Sequence, residues 1–219
     1  KAMTFQLPRD DGLYYRQTLF NQAKTVVLKV GSAVLTTADG LNIDFIDTLC
    51  DHIAFLRNSG REVILVSSGA VAAGRKRLQV HRQPGEQLRV KQALAAVGQG
   101  LLMQAYEQRF ARHNNQQVAQ ILLTHTDLSQ RDRYLNVRNT ILTLFEFGIV
   151  PIINENDTVS VQELRFGDND TLGALITNMI GADMYIMLTD VNSLWSHVSD
   201  TENRLRSEER RVGKECRSR

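Results

Sequence analysis

The stretch TVVLKVGSAVLTTADGLNIDFIDTLCDHIAFLRNSGREVILVSSGA, residues 25–70, contains two short apolar runs on either side of one amphipathic segment. The runs TVVLKV and EVILVS are rich in Val, Ile and Leu, as buried parallel strands are. Between them, apolar residues recur every three or four positions from Ile43 to Leu56, and Gly60 follows, which predicts an amphipathic helix that ends there. The order of strand, helix and strand predicts a parallel βαβ unit.

The same alternation continues along the rest of the chain. The further predicted elements are a helix from Gly69, two packed helices over 87–97 and 101–112, strands over 117–123 and 149–153 with a helix over 133–147 between them, a helix capped by residues 168–170 and ending at 180, and a strand over 184–189. We therefore expect a three-layer α/β/α sandwich with a mainly parallel sheet and right-handed crossovers, incomplete at its C-terminus.

Composition and charge exclude several classes of protein. With 42% hydrophobic and 23% charged residues, the chain of 219 residues matches an ordinary globular protein rather than a disordered or membrane-spanning one. The first 25 residues carry charges where a signal peptide has its apolar segment, so we expect a cytoplasmic protein. Its two cysteines, Cys50 and Cys216, make no disulfide framework.

The tail RSEERRVGKECRSR, residues 206–219, differs from the rest of the chain. It holds six basic and three acidic residues, which leaves 20 basic and 21 acidic residues before it, so no basic face for nucleic acid or a membrane surface is expected. The tail has no apolar periodicity and matches a translated sequencing adapter, so we interpret it as non-native; a solvated basic tail is the alternative. The expected organisation is an N-terminal extension over 1–23, one domain over 24–205 and this tail.

Polar and small residues follow four of the predicted strands. In an open parallel sheet, ligands bind beyond the carboxyl ends of the strands, although turns and helix caps use the same residue types. Ser, Asn, Asp and Gly at four strand ends suit a nucleotide and an anionic substrate that bears an amine. The residues concerned are Gly31 and Ser32, Ser67 to Gly69, Asn154 to Asp157, and Thr189 and Asp190.

Familiar nucleotide and hydrolase motifs do not fit. The GxxxxG pattern that begins at Gly69 has Arg75 where a P-loop has lysine, and Gly98-Gln99-Gly100 does not follow a strand. No HExxH or GxSxG pattern occurs, and no residue is assigned to a metal. A zinc enzyme or a serine hydrolase is therefore not indicated.

Six blocks, in this order and spacing, closely resemble the bacterial glutamate 5-kinases of the amino-acid kinase family. They are VVLKVGSAVL (26–35), VSSGAVAAGRKRL (66–78), KQALAAVGQ (91–99), IVPIINENDTV (149–159), FGDNDTLGAL (166–175) and LTD (188–190). The resemblance covers about residues 24–195. It implies a kinase domain that phosphorylates the γ-carboxylate of L-glutamate with ATP and Mg²⁺, the first step toward proline, with feedback binding of proline and a homo-oligomeric full-length parent.

The resemblance also implies roles for individual residues. The resemblance implies that Lys29 and Asp170 are the catalytic residues. Lys29 would supply positive charge to the phosphoryl group, and Asp170 would orient the Lys29 ammonium. The remaining assignments are ATP contacts at Lys29, Gly31, Ser32, Thr189 and Asp190, and glutamate contacts at Ser68, Asp157 and Asn169 with Asn154 as a neighbour. Two alternatives stay open: a catalytically dead amino-acid-binding fragment of the same fold, and another carboxylate or carbamate kinase of the superfamily.

Overall fold

The computed structural model describes residues 9–37, 40–81, 83–160 and 169–189, together with two short strands at 194–195 and 204–205. The described residues divide into two units, Ala23–Leu188 in one and the residues on either side of it in the other. The helices are α1 (Arg9–Gln22), α2 (Ser32–Leu35), α3 (Ile43–Asn58), α4 (Ala70–Leu78), α5 (Leu88–Phe110), α6 (His125–Ser129), α7 (Arg131–Glu146) and α8 (Asn169–Ile180). The strands are β1 (Thr25–Val30), β2 (Thr36–Thr37), β3 (Gly40–Leu41), β4 (Glu62–Ser67), β5 (Val118–Leu123), β6 (Val150–Glu155), β7 (Met184–Leu188), β8 (Leu194–Trp195) and β9 (Arg204–Leu205).

Five parallel strands form the main sheet, in the order β5-β6-β4-β1-β7. Strand β1 lies between β4 and β7, and all its residues after Thr25 are buried. Its apolar composition follows from this position, because a strand covered by neighbours and by helices on both faces has no solvent side. The predicted parallel sheet is confirmed.

Helices cover both faces of this sheet. Val27, Ile64 and Val66 project to one face, where they pack in a core with residues of α7 and α8. The alternate strand positions project to the opposite face, where the Ser67 hydroxyl lies 2.9 Å from the hydroxyl of Tyr106 on α5. The α/β/α arrangement is thus confirmed.

The prediction of two helices around Gly98 is wrong, because α5 is continuous from Leu88 to Phe110. A Cβ on Gly98 would overlap the carbonyl oxygen of Ala70 on α4, and one on Gly74 would lie 2.8 Å from the carbonyl carbon of Leu94. The two helices therefore touch backbone to backbone. Glycine serves close packing here and does not end the helix, although it costs a helix interior about 1 kcal/mol relative to alanine.

Smaller differences lie at the ends of strands. The segment after β1, expected to be a loop, contains α2 and the antiparallel pair of β2 and β3. Strand β6 continues to Glu155, so Asn154 lies in the strand rather than after it. The predicted cap residue Asp168 and the tail 206–219 lie outside the described residues.

An ionic cluster joins α3 to the end of α5. The Asp47 carboxylate lies 3.0 Å from Arg109 Nε and 3.3 Å from Arg112, and Asp51 lies 2.9 Å from His113 Nε2. Beside it, burial raises the pKa of the Cys50 thiol to about 12, so the thiol stays protonated and unreactive.

Within the part of the chain that is described, no helix has the length and apolar character to span a bilayer.

Candidate active site

Lys29 on β1 and Asp170 in the first turn of α8 form an ion pair. Lys29 shares its sheet face with Val27, and this is the face that α8 covers. The lysine is buried whereas the Asp170 side chain is 44% exposed, so the pair lies where the interior opens to solvent. A buried ammonium requires such a partner, and the helix N-terminus favours the negative charge of Asp170.

The chain leaves β1 beside this ammonium through Gly31. A Cβ on Gly31 would lie 3.5 Å from Lys29 Nζ, so the absence of a side chain leaves one flank of the ammonium open. Ser32 then begins α2 and is exposed, with its carbonyl accepting a hydrogen bond of 2.7 Å from the Thr36 hydroxyl. Gly31 and Ser32 therefore lie directly after the strand that carries Lys29, as predicted.

A cluster of polar side chains surrounds the amide of Asn169, the residue before Asp170. Its Nδ2 donates to Ser68 Oγ at 2.7 Å and to Asn154 Oδ1 at 2.9 Å, with the Ser67 carbonyl at 3.3 Å. Three predicted residues from β6, α8 and the end of β4 are thus brought together. Because Nδ2 faces these acceptors, Asn169 Oδ1 faces away from them and can accept a hydrogen bond from a ligand.

A chain of amides extends from this cluster to the sheet edge. Asn154 Oδ1 also accepts the backbone N–H of Glu155 at 2.9 Å, while Asn154 Nδ2 donates to Gln99 Oε1 at 3.0 Å. Gln99 Nε2 in turn donates to Gln120 Oε1 on β5 at 3.1 Å. Asn154 and Gln99 are buried, so these bonds fix which way the Asn154 amide points.

Two further predicted residues lie at the same strand ends. Gly69 has φ +102°, a left-handed conformation that lets the chain turn sharply from β4 into α4. Asp157 lies in the turn over 157–159, three residues after Asn154, and its N–H donates to the Glu155 carbonyl at 2.9 Å. The backbone N–H of Ser68 donates to the Val30 carbonyl at 3.2 Å, which joins the ends of β4 and β1.

The predicted nucleotide contacts after β7 are not placed in this site. Thr189 follows Leu188 directly but belongs to the other unit, and Asp190 lies outside the described residues. Within the described part of the chain, no group of three His, Cys, Asp or Glu side chains is arranged to hold a metal ion.

Three residues at the site were missed by sequence reasoning. Gln99 is named only within a rejected glycine motif, although a polar residue on a buried helix face is a signal for a buried partner. Gln120 lies exposed on β5 and carries no such signal. Tyr185 lies within a predicted strand and carries no signal of its own, but its hydroxyl donates to the Asp170 carbonyl at 3.0 Å.

Curated relatives match most of the chain. The chain is 59% identical over 180 residues to the glutamate 5-kinase of Desulfotalea psychrophila and 52% identical over 181 residues to that of Cupriavidus metallidurans. Each alignment covers 82% of this chain and 48% of the relative. The chain therefore spans about half the length of the curated relatives it matches.

The fold resembles that of a carbamate kinase from Giardia, with a TM-score of 0.54 and 15% identity over 82% of this chain and 76% of that one. At this identity the likeness concerns the fold alone. The family model described as the amino acid kinase family matches residues 24–208, which is most of the chain. The chain therefore belongs to the amino acid kinase family.

Proposed function

We propose that this chain carries the acceptor-binding part of a kinase that transfers the γ-phosphoryl group of ATP to the γ-carboxylate of L-glutamate. One observation carries the proposal. The adjacent residues Asn169 and Asp170 belong to the amide cluster and to the lysine ion pair respectively. A site for an amino acid and a site for a transferring phosphoryl group would then lie side by side. The names of the relatives at 50–59% identity support glutamate as the acceptor.

On the acceptor side, the proposed contacts match the chemistry of glutamate. The Asp157 carboxylate would pair with the α-ammonium group. The Ser68 hydroxyl and the backbone N–H at Gly69 would donate to carboxylate oxygens, while Asn169 Oδ1 would accept from the α-ammonium group, with Asn154 keeping the Asn169 amide in place. Such fixed polar contacts would direct the γ-carboxylate toward Lys29.

In the transfer step, a γ-carboxylate oxygen attacks the γ-phosphorus of ATP. An O–P bond forms, the bond from phosphorus to the β,γ-bridging oxygen breaks, and its electron pair leaves with ADP, which gives an acyl phosphate. The carboxylate is already ionised, so no base is needed. Lys29 would neutralise charge on the transferring group while Asp170 holds its ammonium. The backbone N–H of Ser32 would face phosphate oxygens, and Gly31, whose own N–H donates to the Leu188 carbonyl at 3.5 Å, would leave room for their approach.

The nucleotide is proposed to bind as its Mg²⁺ complex. Mg²⁺ commonly keeps several waters and binds substrate phosphates rather than a cage of protein ligands, which fits the absence of an acidic cluster among the described residues. When bound, the ion would supply positive charge that offsets the negative charge of the phosphate oxygens. By resemblance, Thr189 and Asp190 are proposed to contact the nucleotide.

The proposal extends to the biology of the whole protein. It includes a role in the first step toward proline, proline as a feedback ligand, a homo-oligomeric full-length protein and a cytoplasmic location. No membrane or nucleic-acid partner is proposed.

Trapping of the acyl phosphate tests the activity. The purified chain is incubated with ATP, Mg²⁺, L-glutamate and hydroxylamine, and the hydroxamate and ADP are measured, with Lys29→Ala as the control. Glutamate-dependent hydroxamate that Lys29→Ala abolishes supports the proposal. Binding of glutamate without turnover would favour a binding-only chain, and faster turnover of acetylglutamate or carbamate would identify another kinase of the superfamily.

A further inference from the structure

We propose that Tyr185 is a positioning residue that holds the first turn of α8, and with it Asp170, against Lys29. The importance of this ion pair for phosphoryl transfer rests on the proposed function. The claim that Tyr185 holds the pair rests on contacts within the unit Ala23–Leu188.

Tyr185 lies on the strand next to Lys29 and on the same face of the sheet. In the register of β1 with β7, Val27 pairs with Tyr185 and Lys29 pairs with Met187. Tyr185 packs against the same core as Val27, on the face covered by α8. From there its hydroxyl donates a hydrogen bond of 3.0 Å to the backbone carbonyl of Asp170. A carbonyl oxygen has two lone pairs, so this bond adds to the helical one.

Gly173, one turn further along α8, receives the tyrosine ring. A Cβ on Gly173 would lie 2.8 Å from both Cε2 and Cζ of Tyr185, closer than side-chain carbons approach each other. Gly173 is buried within the helix, where glycine costs about 1 kcal/mol relative to alanine. The ring therefore explains why no side chain is present at this position. Ring and hydroxyl together contact α8 at two points within one turn.

The contact acts where α8 is least fixed by its own hydrogen bonds. The first N–H groups of a helix have no partners within the helix, so its first turn is the part most easily displaced. The Asp170 side chain is 44% exposed, so few packing contacts fix its position. How precisely it orients Lys29 therefore depends on how firmly the Asp170 backbone is held. Tyr185 holds that backbone from the sheet.

Chemical labelling of Lys29 tests the proposal without any turnover. Wild type and Tyr185→Phe are treated with a trace of acetic anhydride in the folded state. Acetylation of Lys29 is measured by peptide mass spectrometry relative to exposed Lys24. Loss of the hydroxyl should free Asp170 to move and raise the labelling rate of Lys29 by about threefold or more, the lower range of what one hydrogen bond contributes.

Tyr106→Phe is the matched control. It also removes a buried phenol hydroxyl, one that lies 2.9 Å from Ser67 Oγ on the opposite face of the sheet. Its Lys29 labelling should stay at the wild-type rate. An equal rise in both variants would mean general loosening of the fold, and no rise in Tyr185→Phe would mean that the hydroxyl does not hold the pair; either result overturns the proposal.

Gly173→Ala provides a second route if Tyr185→Phe does not fold. The new methyl group displaces the ring, so Lys29 labelling should rise by a similar factor. Adding Tyr185→Leu to Gly173→Ala should recover stability, because the overlap between the new methyl group and the ring is removed. The labelling rate of Lys29 should nevertheless stay above that of wild type. Recovery of wild-type labelling in the double variant would contradict the proposal.

If wild type makes the hydroxamate, Tyr185→Phe should lower kcat and leave the KM for glutamate unchanged. A chain that binds no glutamate would refute the proposed function and leave the labelling result interpretable.

Discussion

The side-chain amide of Asn169 donates to Asn154 Oδ1 at 2.9 Å, which joins the start of α8 to the end of β6. The Asn154 amide cannot rotate away, because its Nδ2 is bonded to Gln99 at 3.0 Å. The Asn169 side chain, which we propose contacts the acceptor, is thus held by the buried amide of Asn154, which is itself held by Gln99 on α5.

Gln99→Leu should weaken glutamate binding although Gln99 does not reach the ligand. The substitution leaves the buried Nδ2 of Asn154 without its acceptor, which costs about 1 to 3 kcal/mol, and frees the amide to turn. Calorimetry should show affinity for L-glutamate reduced by about tenfold. Gln104→Leu, at an exposed position of the same helix, is the control and should bind as wild type does. Equal affinities for all three proteins would remove Gln99 from the site.

Gly98→Ala should destabilise the fold because its methyl group would overlap the Ala70 carbonyl and approach the Gly74 nitrogen. Urea unfolding should show a loss of about 2 to 3 kcal/mol, the upper range for overpacking. Gly100→Ala is a control two positions along, since a Cβ there meets nothing within 4 Å. It should gain roughly 0.5 to 1 kcal/mol from helix propensity alone. Similar effects at both positions would contradict the close contact of α4 with α5.

In the full-length protein, Lys29→Ala should mainly lower kcat and Asp157→Ala should mainly raise the KM for glutamate. Lys29 is needed chiefly as the phosphoryl group transfers, so its loss should lower kcat by at least about tenfold, or ~1.4 kcal/mol, with a small change in the glutamate KM. Asp157→Ala should mainly raise that KM, because it removes a substrate contact. The hydroxamate assay measures both. A kcat for Lys29→Ala within about threefold of wild type, under ~1 kcal/mol, would refute the phosphate role.

Asp183 should make stability depend on pH in acid. Its carboxylate accepts the backbone N–H of Thr25 at 2.9 Å and of Lys24 at 2.8 Å, and these bonds lower its pKa below the ordinary 3.8. The unfolded chain then takes up the proton first, so the stabilisation is complete above pH 3.8 and is lost as pH falls through the lower folded-state pKa.

Urea unfolding of Asp183→Asn over a range of pH checks this dependence. The variant should be less stable than wild type at neutral pH, and the difference should shrink below pH 3.8. Glu107→Gln, at an exposed position of α5, should show little difference at any pH. A difference for Asp183→Asn that stayed constant into acid would show that the charge does not matter.

Much of the fold could be predicted because buried strands and amphipathic helices leave local patterns. The run around Lys29 reads as a buried strand at any position in the chain, and the βαβ rule predicts its parallel pairing with the next apolar run, β4. Gly98 could not be interpreted in this way. Whether a glycine ends a helix or packs against another depends on Ala70, which lies 28 residues earlier in the chain.

The candidate site was predictable only where a residue type shows its chemistry. Ser68 and Asn169 at strand and helix ends are conspicuous, and the structure brings them within 2.7 Å of each other. Gln99 and Tyr185 are not conspicuous, because each acts through a partner on another element. A buried amide or a strand tyrosine acquires its role only from the tertiary contact.

Calorimetric titration of the chain with L-glutamate tests the central claim most directly. Three proteins are compared: wild type, Asn169→Ala, and Asn178→Ala, an exposed asparagine of the same helix. We predict saturable binding to wild type and Asn178→Ala, and affinity at least about tenfold weaker for Asn169→Ala, as expected for the loss of a fixed polar contact. Urea unfolding confirms that each variant is folded. Absence of saturable binding to wild type, or equal affinity for all three proteins, would contradict the assignment of the strand-end cluster as the acceptor site.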